Sequence, residues 1–298
     1  MRWCIIILIF LILIIAFVSI YLYLKYHHFM KNISNIGNHI TTSFSSIEYP
    51  SSIPNAQDEF DINLSRLGIS TVMSAINFHQ KVNPLLPPYL KIAHALPQNY
   101  GIVLVPTIPS DFSYIIAFRG TLSHADVVSD LKWPQVEYYG LGKVHEGFAQ
   151  IASVVYPYLN LPNNSTVLIT GHSLGASVAE IVATRAAVEK KLKVKLYISA
   201  RPRTGNLTWD NNVKRYTDRY ILLNQSDDIP QLPLPTMVKG GVGYGYISPP
   251  VYRSIYFNFQ SGNIGNNHDP LTYHYALYGG QMPFYAMWYV PLVQHKIH

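Results

Sequence analysis

Apolar and polar positions fall in blocks along most of this chain rather than strictly alternating. Ile102–Val105 and Tyr114–Phe118 are continuous apolar runs on either side of a Pro106–Asp111 turn, and they predict two strands. Thr166–Thr170 (TVLIT), Val194–Ser199 and Tyr220–Leu223 predict three more. Between them, the spacing predicts a helix over His145–Leu159 and a longer, Ala-rich helix over Leu174–Lys190, with Glu and Lys at its end. Strands that are apolar throughout and alternate with helices belong in a mostly parallel sheet covered on both faces, so an α/β fold is expected.

The first residues break this pattern. Residues 3–24 contain no charged side chain. A run of about 22 residues suffices to cross a bilayer core as a helix, and it exceeds the apolar stretch of a signal peptide. Tyr21 and Tyr23 sit near its end, where aromatic rings favour the interface. No small-x-small cleavage site follows, so an uncleaved signal-anchor is expected over residues 1–25, with a cleaved signal peptide as the alternative. Arg2 on one side balances Lys25 and Lys31 on the other. Orientation therefore rests on the usual crossing of the long C-terminal part, which favours a lumenal or extracellular domain. Residues 26–59, poor in large apolar side chains, read as a polar stalk, and residues 60–298 as the folded domain.

Composition narrows the class further. Charged residues are 13% of the 298, about half the usual share, while 49% are hydrophobic, which excludes a disordered chain. The single cysteine, Cys4, excludes an intrachain disulfide and a thiolate zinc cluster. The net charge of +6 is spread thinly with no basic block, so no nucleic-acid partner is expected. Asn-x-Ser/Thr triplets begin at Asn32, Asn63, Asn163, Asn164, Asn206 and Asn224 and would permit glycosylation in a lumen.

The sharpest chemical feature is Gly171-His172-Ser173-Leu174-Gly175, set between the TVLIT strand and the Ala-rich helix. A G-x-S-x-G pentapeptide alone is a weak signal, but strand, glycine-flanked serine and helix together form the context of a nucleophile elbow. The helix start also offers the Leu174 N–H to a developing oxyanion. A nucleophilic serine needs a base, and the base an orienting carboxylate, in the chain order Ser, acid, His. The acids after the serine are Glu180, Glu189, Asp210, Asp218, Asp227, Asp228 and Asp269. His268 and His274 are the candidate bases, since His295 and His298 lie in the last residues of the sequence. His268 precedes Asp269-Pro270, a helix-start signal, whereas His274 falls inside the predicted helix.

These blocks and their neighbours resemble one known family. Phe118-Arg119-Gly120-Thr121, Val144-His145-Glu146-Gly147-Phe148, the Gly171–Gly175 elbow, Ala200-Arg201-Pro202-Arg203-Thr204-Gly205-Asn206 and Asn224–Pro233 are similar, in order, to the blocks of the class 3, fungal lipase-like lipases. Ala176 and Ile229 depart from that pattern. The resemblance implies an α/β-hydrolase fold with Ser173 as nucleophile, Asp227 rather than Asp228 as acid, and His268 as base, with His274 as second choice. It also implies an oxyanion hole of Thr121 and Leu174, structural support of the elbow by His145 and His172, and no metal or organic cofactor. Residues 122–137 fall where the family carries its lid, with Val127, Val128, Leu131 and Trp133 on one apolar side.

The expectation is thus a membrane-anchored serine hydrolase acting on carboxylic esters of lipids, of the triacylglycerol lipase kind, at a membrane or droplet surface. Phospholipase A-type activity and a catalytically inactive lipid-binding module are the alternatives.

Overall fold

The computed structural model describes residues 12–21, 23–24, 43–120, 134–239, 241–248 and 253–292. Helix α1 (Ile62–His79) leads into the antiparallel strands β1 (Leu90–Ala95), β2 (Gly101–Pro106) and β3 (Tyr114–Phe118). A small hairpin, β4 (Gln135–Glu137) with β5 (Lys143–His145), precedes α2 (Glu146–Val155). Then come β6 (Thr166–His172), α3 (Leu174–Lys190), β7 (Lys193–Ser199), α4 (Leu207–Tyr216) and β8 (Asp218–Asn224). A second hairpin, β9 (Thr236–Lys239) with β10 (Val242–Gly245), is followed by β11 (Ser254–Gln260), α5 (Ile264–His268), α6 (Pro270–Tyr278) and β12 (Trp288–Val290).

Eight strands form the main sheet in the order β1-β2-β3-β6-β7-β8-β11-β12. The stretch from β3 to β11 is parallel, with antiparallel strands at both edges. The all-apolar strands explain the layering. Along β6, Val167 and Ile169 enter a core with Val178 and Ile181 of α3 and Phe148 of α2, while Leu168 enters another with Leu64 and Leu67 of α1. Because successive side chains point to opposite faces, both faces need an apolar cover, and Leu168→Ala would cost ~2–5 kcal/mol. The fold is α/β, with a mostly parallel sheet flanked by helices.

Two expectations about the N-terminal part meet the structure differently. Residues 12–21 are helical and exposed, and among the described residues no helix is long and apolar enough to cross a membrane. Residues 3–11 of the predicted span lie outside the described residues, as do residues 26–42 of the stalk. The rest of the stalk is corrected. Phe44 is buried, and its backbone N–H and C=O are both held by the Asn77 side chain of α1, at 2.7 and 2.9 Å. The Tyr49 hydroxyl lies 2.6 Å from Ser74 Oγ, the Tyr89 hydroxyl donates to Pro50 O, and the Ser70 hydroxyl donates to Glu48 O at 2.5 Å. Residues 44–50 therefore lie against α1, and Asp58 pairs with Lys195 of the sheet at 3.0 Å, so the described part of the segment belongs to the folded body. Two isolated aromatic anchors and a buried Asn do what a continuous apolar run does elsewhere.

Candidate active site

The parallel strands β3, β6, β8 and β11 all lead toward one edge of the sheet, the edge where α/β proteins collect their ligand sites. At the end of β6 the chain turns into α3 through Ser173, whose backbone is left-handed in φ at φ 58° and ψ −129°. This is a costly conformation for a residue with a Cβ, and it projects the hydroxyl out of the turn. The flanking glycines are steric requirements. A Cβ on Gly171 would lie 2.3 Å from Gly175 O, and one on Gly175 would lie 2.4 Å from Arg119 O. Ala176, where the resemblance expects a further glycine, fits with its methyl fully buried in the core. The Ser173 N–H donates to Ser199 O at the end of β7 and fixes the turn to the sheet.

Ser173 Oγ lies 2.7 Å from His268 Nε2, and His268 Nδ1 lies 2.6 Å from Asp227 Oδ2. A carboxylate only accepts, so Nδ1 carries the proton and Nε2 accepts the Ser173 hydroxyl. All three residues are buried. Burial pulls the His268 imidazole down, to about 3, while the Asp227 carboxylate acts in the opposite sense by favouring the charged ring. The ring is thus neutral at pH 7, with Nε2 able to take a proton.

Asp227 sits in the turn after β8, with its own N–H donating to Asn224 O and its Oδ1 accepting the Ile229 N–H at 3.0 Å. Its Oδ2 also accepts the Tyr273 hydroxyl at 2.6 Å, and burial raises that phenol well above its ordinary value. Asp228 is exposed and makes no bond to the histidine. His268 is the last residue of α5, just before the Asp269 N-cap of α6. Its loop is tied to the acid turn: Asn224 Nδ2 donates to Asn267 O and Phe259 O, both at 2.9 Å, and Asn267 Nδ2 donates to Ser226 O at 2.9 Å.

His172 Nε2 donates to the His268 carbonyl at 2.8 Å, so its Nδ1 accepts the Ser199 hydroxyl at 2.9 Å. The residue beside the serine thereby holds the histidine's backbone. His145 caps α2, with Nδ1 accepting from the Gly147 and Phe148 N–H groups, and burial lowers it to about 4. His274 points elsewhere: it stacks on Tyr278 and lies 3.3 Å from Glu48 O.

Leu174 opens α3, so its N–H is among those without an intrahelical partner. Thr121 and the lid residues Val127, Val128, Leu131 and Trp133 lie outside the described residues. The last described residue before them, Gly120, is close to the serine: a Cβ there would sit 3.3 Å from Ser173 Cβ. Arg119 clamps this strand exit, donating to Asn99 O at 2.6 Å and Gly120 O at 2.9 Å. Among the described residues no group of His, Cys, Asp and Glu could hold a metal ion.

The roles of Tyr273, Asn224 and Asn267 go beyond what the residues alone indicate. The linear signals are the five-residue step from His268 to Tyr273 and the place of Asn224 at the head of the acid block, because the bonds themselves join segments about forty positions apart.

Residues 115–237 match the family model described as lipase (class 3). The chain is 34% identical over 86 residues to the secreted mono- and diacylglycerol lipase A of Penicillium cyclopium, covering 29% of this chain and 27% of that one. It is 26% identical over 132 residues to a lipase of Caenorhabditis elegans, covering 40% and 37%. The chain thus spans between a quarter and two fifths of these relatives' length. Among solved structures, native Rhizomucor miehei lipase with its propeptide has a TM-score of 0.49 at 19% identity, covering 77% of this chain and 79% of that one. The lipase of Rhizopus microsporus var. chinensis has 0.48 at 18%, covering 74% and 84%. Residues 115–237, with strand β3, the elbow and the acid turn, are thus the part of the chain that is similar to the class 3 lipases.

Proposed function

We propose that the protein is a serine hydrolase that cleaves carboxylic esters of lipids, with Ser173, His268 and Asp227 as its catalytic residues. The observation that carries this reading is the pair of contacts at His268, 2.7 Å to Ser173 Oγ and 2.6 Å to Asp227 Oδ2. Ser173 Oγ attacks the acyl carbonyl as its proton passes to His268 Nε2. Asp227 holds the resulting imidazolium in place without itself taking the proton. The oxyanion that forms faces the Leu174 N–H and, as the second donor, Thr121; each such donor is worth ~2.7–4 kcal/mol in the transition state. Collapse expels the alcohol with the proton from His268. Water, deprotonated by the same ring, then releases the fatty acid from the acyl-enzyme.

Relatives named as mono- and diacylglycerol lipases favour glycerides as the lipid esters. The apolar segment at residues 3–24 supports attachment to a membrane through the N-terminus, with the hydrolase on the lumenal or extracellular side. A relative named as secreted agrees with that side. Of residues 122–137, Gln135–Glu137 belong to strand β4 rather than to a lid. The lid proposed to open at the lipid surface is confined to the residues before them, with Val127, Val128, Leu131 and Trp133 as its apolar side.

The test is fatty-acid release by the full chain and by Ser173→Ala, on emulsified triacylglycerol, on diacylglycerol, on phospholipid vesicles and on a soluble short-chain ester. The proposal requires release that Ser173→Ala lowers by about a thousandfold or more. Equal release by both proteins, or none by the folded wild type, would sink it; a preference for vesicles would move the substrate class to phospholipids.

A further inference from the structure

Apart from Asn224, the Asn-x-Ser/Thr triplets take no part in the chemistry above, and the structure separates them sharply. Asn32 lies outside the described residues. Asn224 is 2% exposed, and its Nδ2, the atom a sugar would occupy, already donates to Phe259 O and Asn267 O under the acid turn. Asn206 caps α4, its Oδ1 accepting from Trp209 N–H at 3.0 Å and Lys143 N–H at 3.2 Å. Asn63 is half-buried in the first turn of α1, bonded to the Arg66 guanidinium at 3.1 Å.

Asn163 and Asn164 differ from all of these. Both are exposed, and neither side chain makes a hydrogen bond among the described residues. Their turn is closed by other groups: Asn164 N–H donates to Lys190 O at 3.0 Å, Lys193 N–H to Ser165 O at 3.0 Å, and the Ser165 hydroxyl to Pro162 O at 2.7 Å. Asn164 has φ 59°, a conformation asparagine tolerates well. A substituent on either Nδ2 therefore disturbs no contact that holds the turn.

We propose that this turn carries an N-linked oligosaccharide, on one of the two overlapping acceptors Asn163-Asn164-Ser165 and Asn164-Ser165-Thr166. The inference rests on the lumenal placement proposed above. The donor is an oligosaccharide on a lipid pyrophosphate. The asparagine Nδ2 attacks the anomeric carbon, the new C–N bond replaces the C–O bond to phosphate, the lipid pyrophosphate leaves, and the amide proton passes to a base of the transferase. The position suits an enzyme working at a surface. β6 starts at Thr166, next to the turn, and ends beside Ser173, so at about 3.3 Å per residue the sugar stands roughly 20 Å from the nucleophile, at the opposite edge of the sheet. The catalytic edge stays open to lipid.

The experiment translates the full chain in the presence of microsomes and reads its mobility with and without an endoglycosidase. The wild type should carry an endoglycosidase-sensitive shift. Asn163→Gln with Asn164→Gln, and separately Ser165→Ala with Thr166→Ala, should each lose the mass of one oligosaccharide, while Asn63→Gln should keep it. Fatty-acid release by the Asn163→Gln/Asn164→Gln protein should stay within twofold of wild type. An unshifted wild type, or a full shift in the double variants, would overturn the glycan. Ser173-dependent release measured on the same membranes reports on the hydrolase separately, so the two failures can be told apart.

Discussion

Asp227 and Glu180 are both buried carboxylates, and their partners separate them. Asp227 faces the neutral ring of His268 and the Tyr273 hydroxyl. Glu180, on α3 seven residues after the nucleophile, faces two guanidinium groups instead: Arg201 at 2.6 Å and Arg219 at 2.8 Å, with the Trp209 indole N–H at 2.9 Å. Arg219 in turn pairs with Asp210 at 2.7 Å, so two acids and two arginines close into a neutral buried quartet joining α3, α4, β8 and the exit of β7. Burial opposes charge on Glu180, but Arg201 and Arg219 prevail and hold it down, to about 2. An arginine does not give up its proton, so the quartet can only hold shape. The Asp227 site ends on an imidazole that can exchange its proton with a serine. Burial is common to both; what the carboxylate faces decides whether it does chemistry.

That contrast can be broken from either side. Asp227→Asn should leave folding nearly intact and lower kcat by about ten-thousandfold, because the neutral amide no longer holds the productive histidine tautomer. Steady-state kinetics beside a urea melt would check both halves. Glu180→Leu should do the reverse, costing about 3–5 kcal/mol of stability by removing the ion-pair partner of Arg201 and leaving Arg219 with Asp210 alone, with near-normal kcat in whatever remains folded. Tyr273→Phe removes one bond to a charged acceptor, so a loss of about 1.5 kcal/mol, or roughly tenfold in kcat, is expected. The same change also strips the partner of Asn224 N–H, so a smaller drop in melting temperature should accompany it.

The histidines give a pH signature. Burial lowers His268 to about 3 and His145 to about 4, whereas the unfolded rings titrate near 6.5. Between those values the unfolded chain binds more protons, so their contribution to stability is complete above about 6.5 and falls as the pH falls. Urea midpoints from pH 8 down to 5 should decline, by at most about 1.4 kcal/mol per unit per ring. His268→Asn should flatten that slope. Glu180, held low, adds a loss only below its ordinary range, nearer pH 4. The smallest effect belongs to His274→Gln, which should change kcat less than twofold, since its ring stacks on Tyr278 outside the site.

The same contrast explains what could be read from the chain. The elbow was legible because strand, turn and helix are contiguous, and the apolar block of β6 and the Ala-rich helix are local signals. The Asp227-Asp228 pair stands at the end of an apolar strand, where ligand sites form, while Glu180 lies inside the Ala-rich helix; the strand alone does not choose between Asp227 and Asp228. The resemblance, not the spacing, singled out Asp227. His268 and His274 are six residues apart, and what orients the first is the Asn224–Asn267 tie, which joins segments forty-three positions distant. The segment 43–59 misled for a related reason. Its contacts run through Phe44, Tyr49 and backbone carbonyls to polar side chains of α1, and such anchoring leaves no periodic apolar trace.

The central claim is that His268 activates Ser173. Intact-protein mass spectrometry after brief exposure to a long-chain alkyl phosphonate ester tests it directly, on wild type, His268→Asn and His274→Asn. Rapid addition of one phosphonyl group, mapped to Ser173 in wild type and in His274→Asn but almost absent in His268→Asn, is the result expected. Labelling that proceeds equally without His268, or that depends on His274 instead, would contradict it.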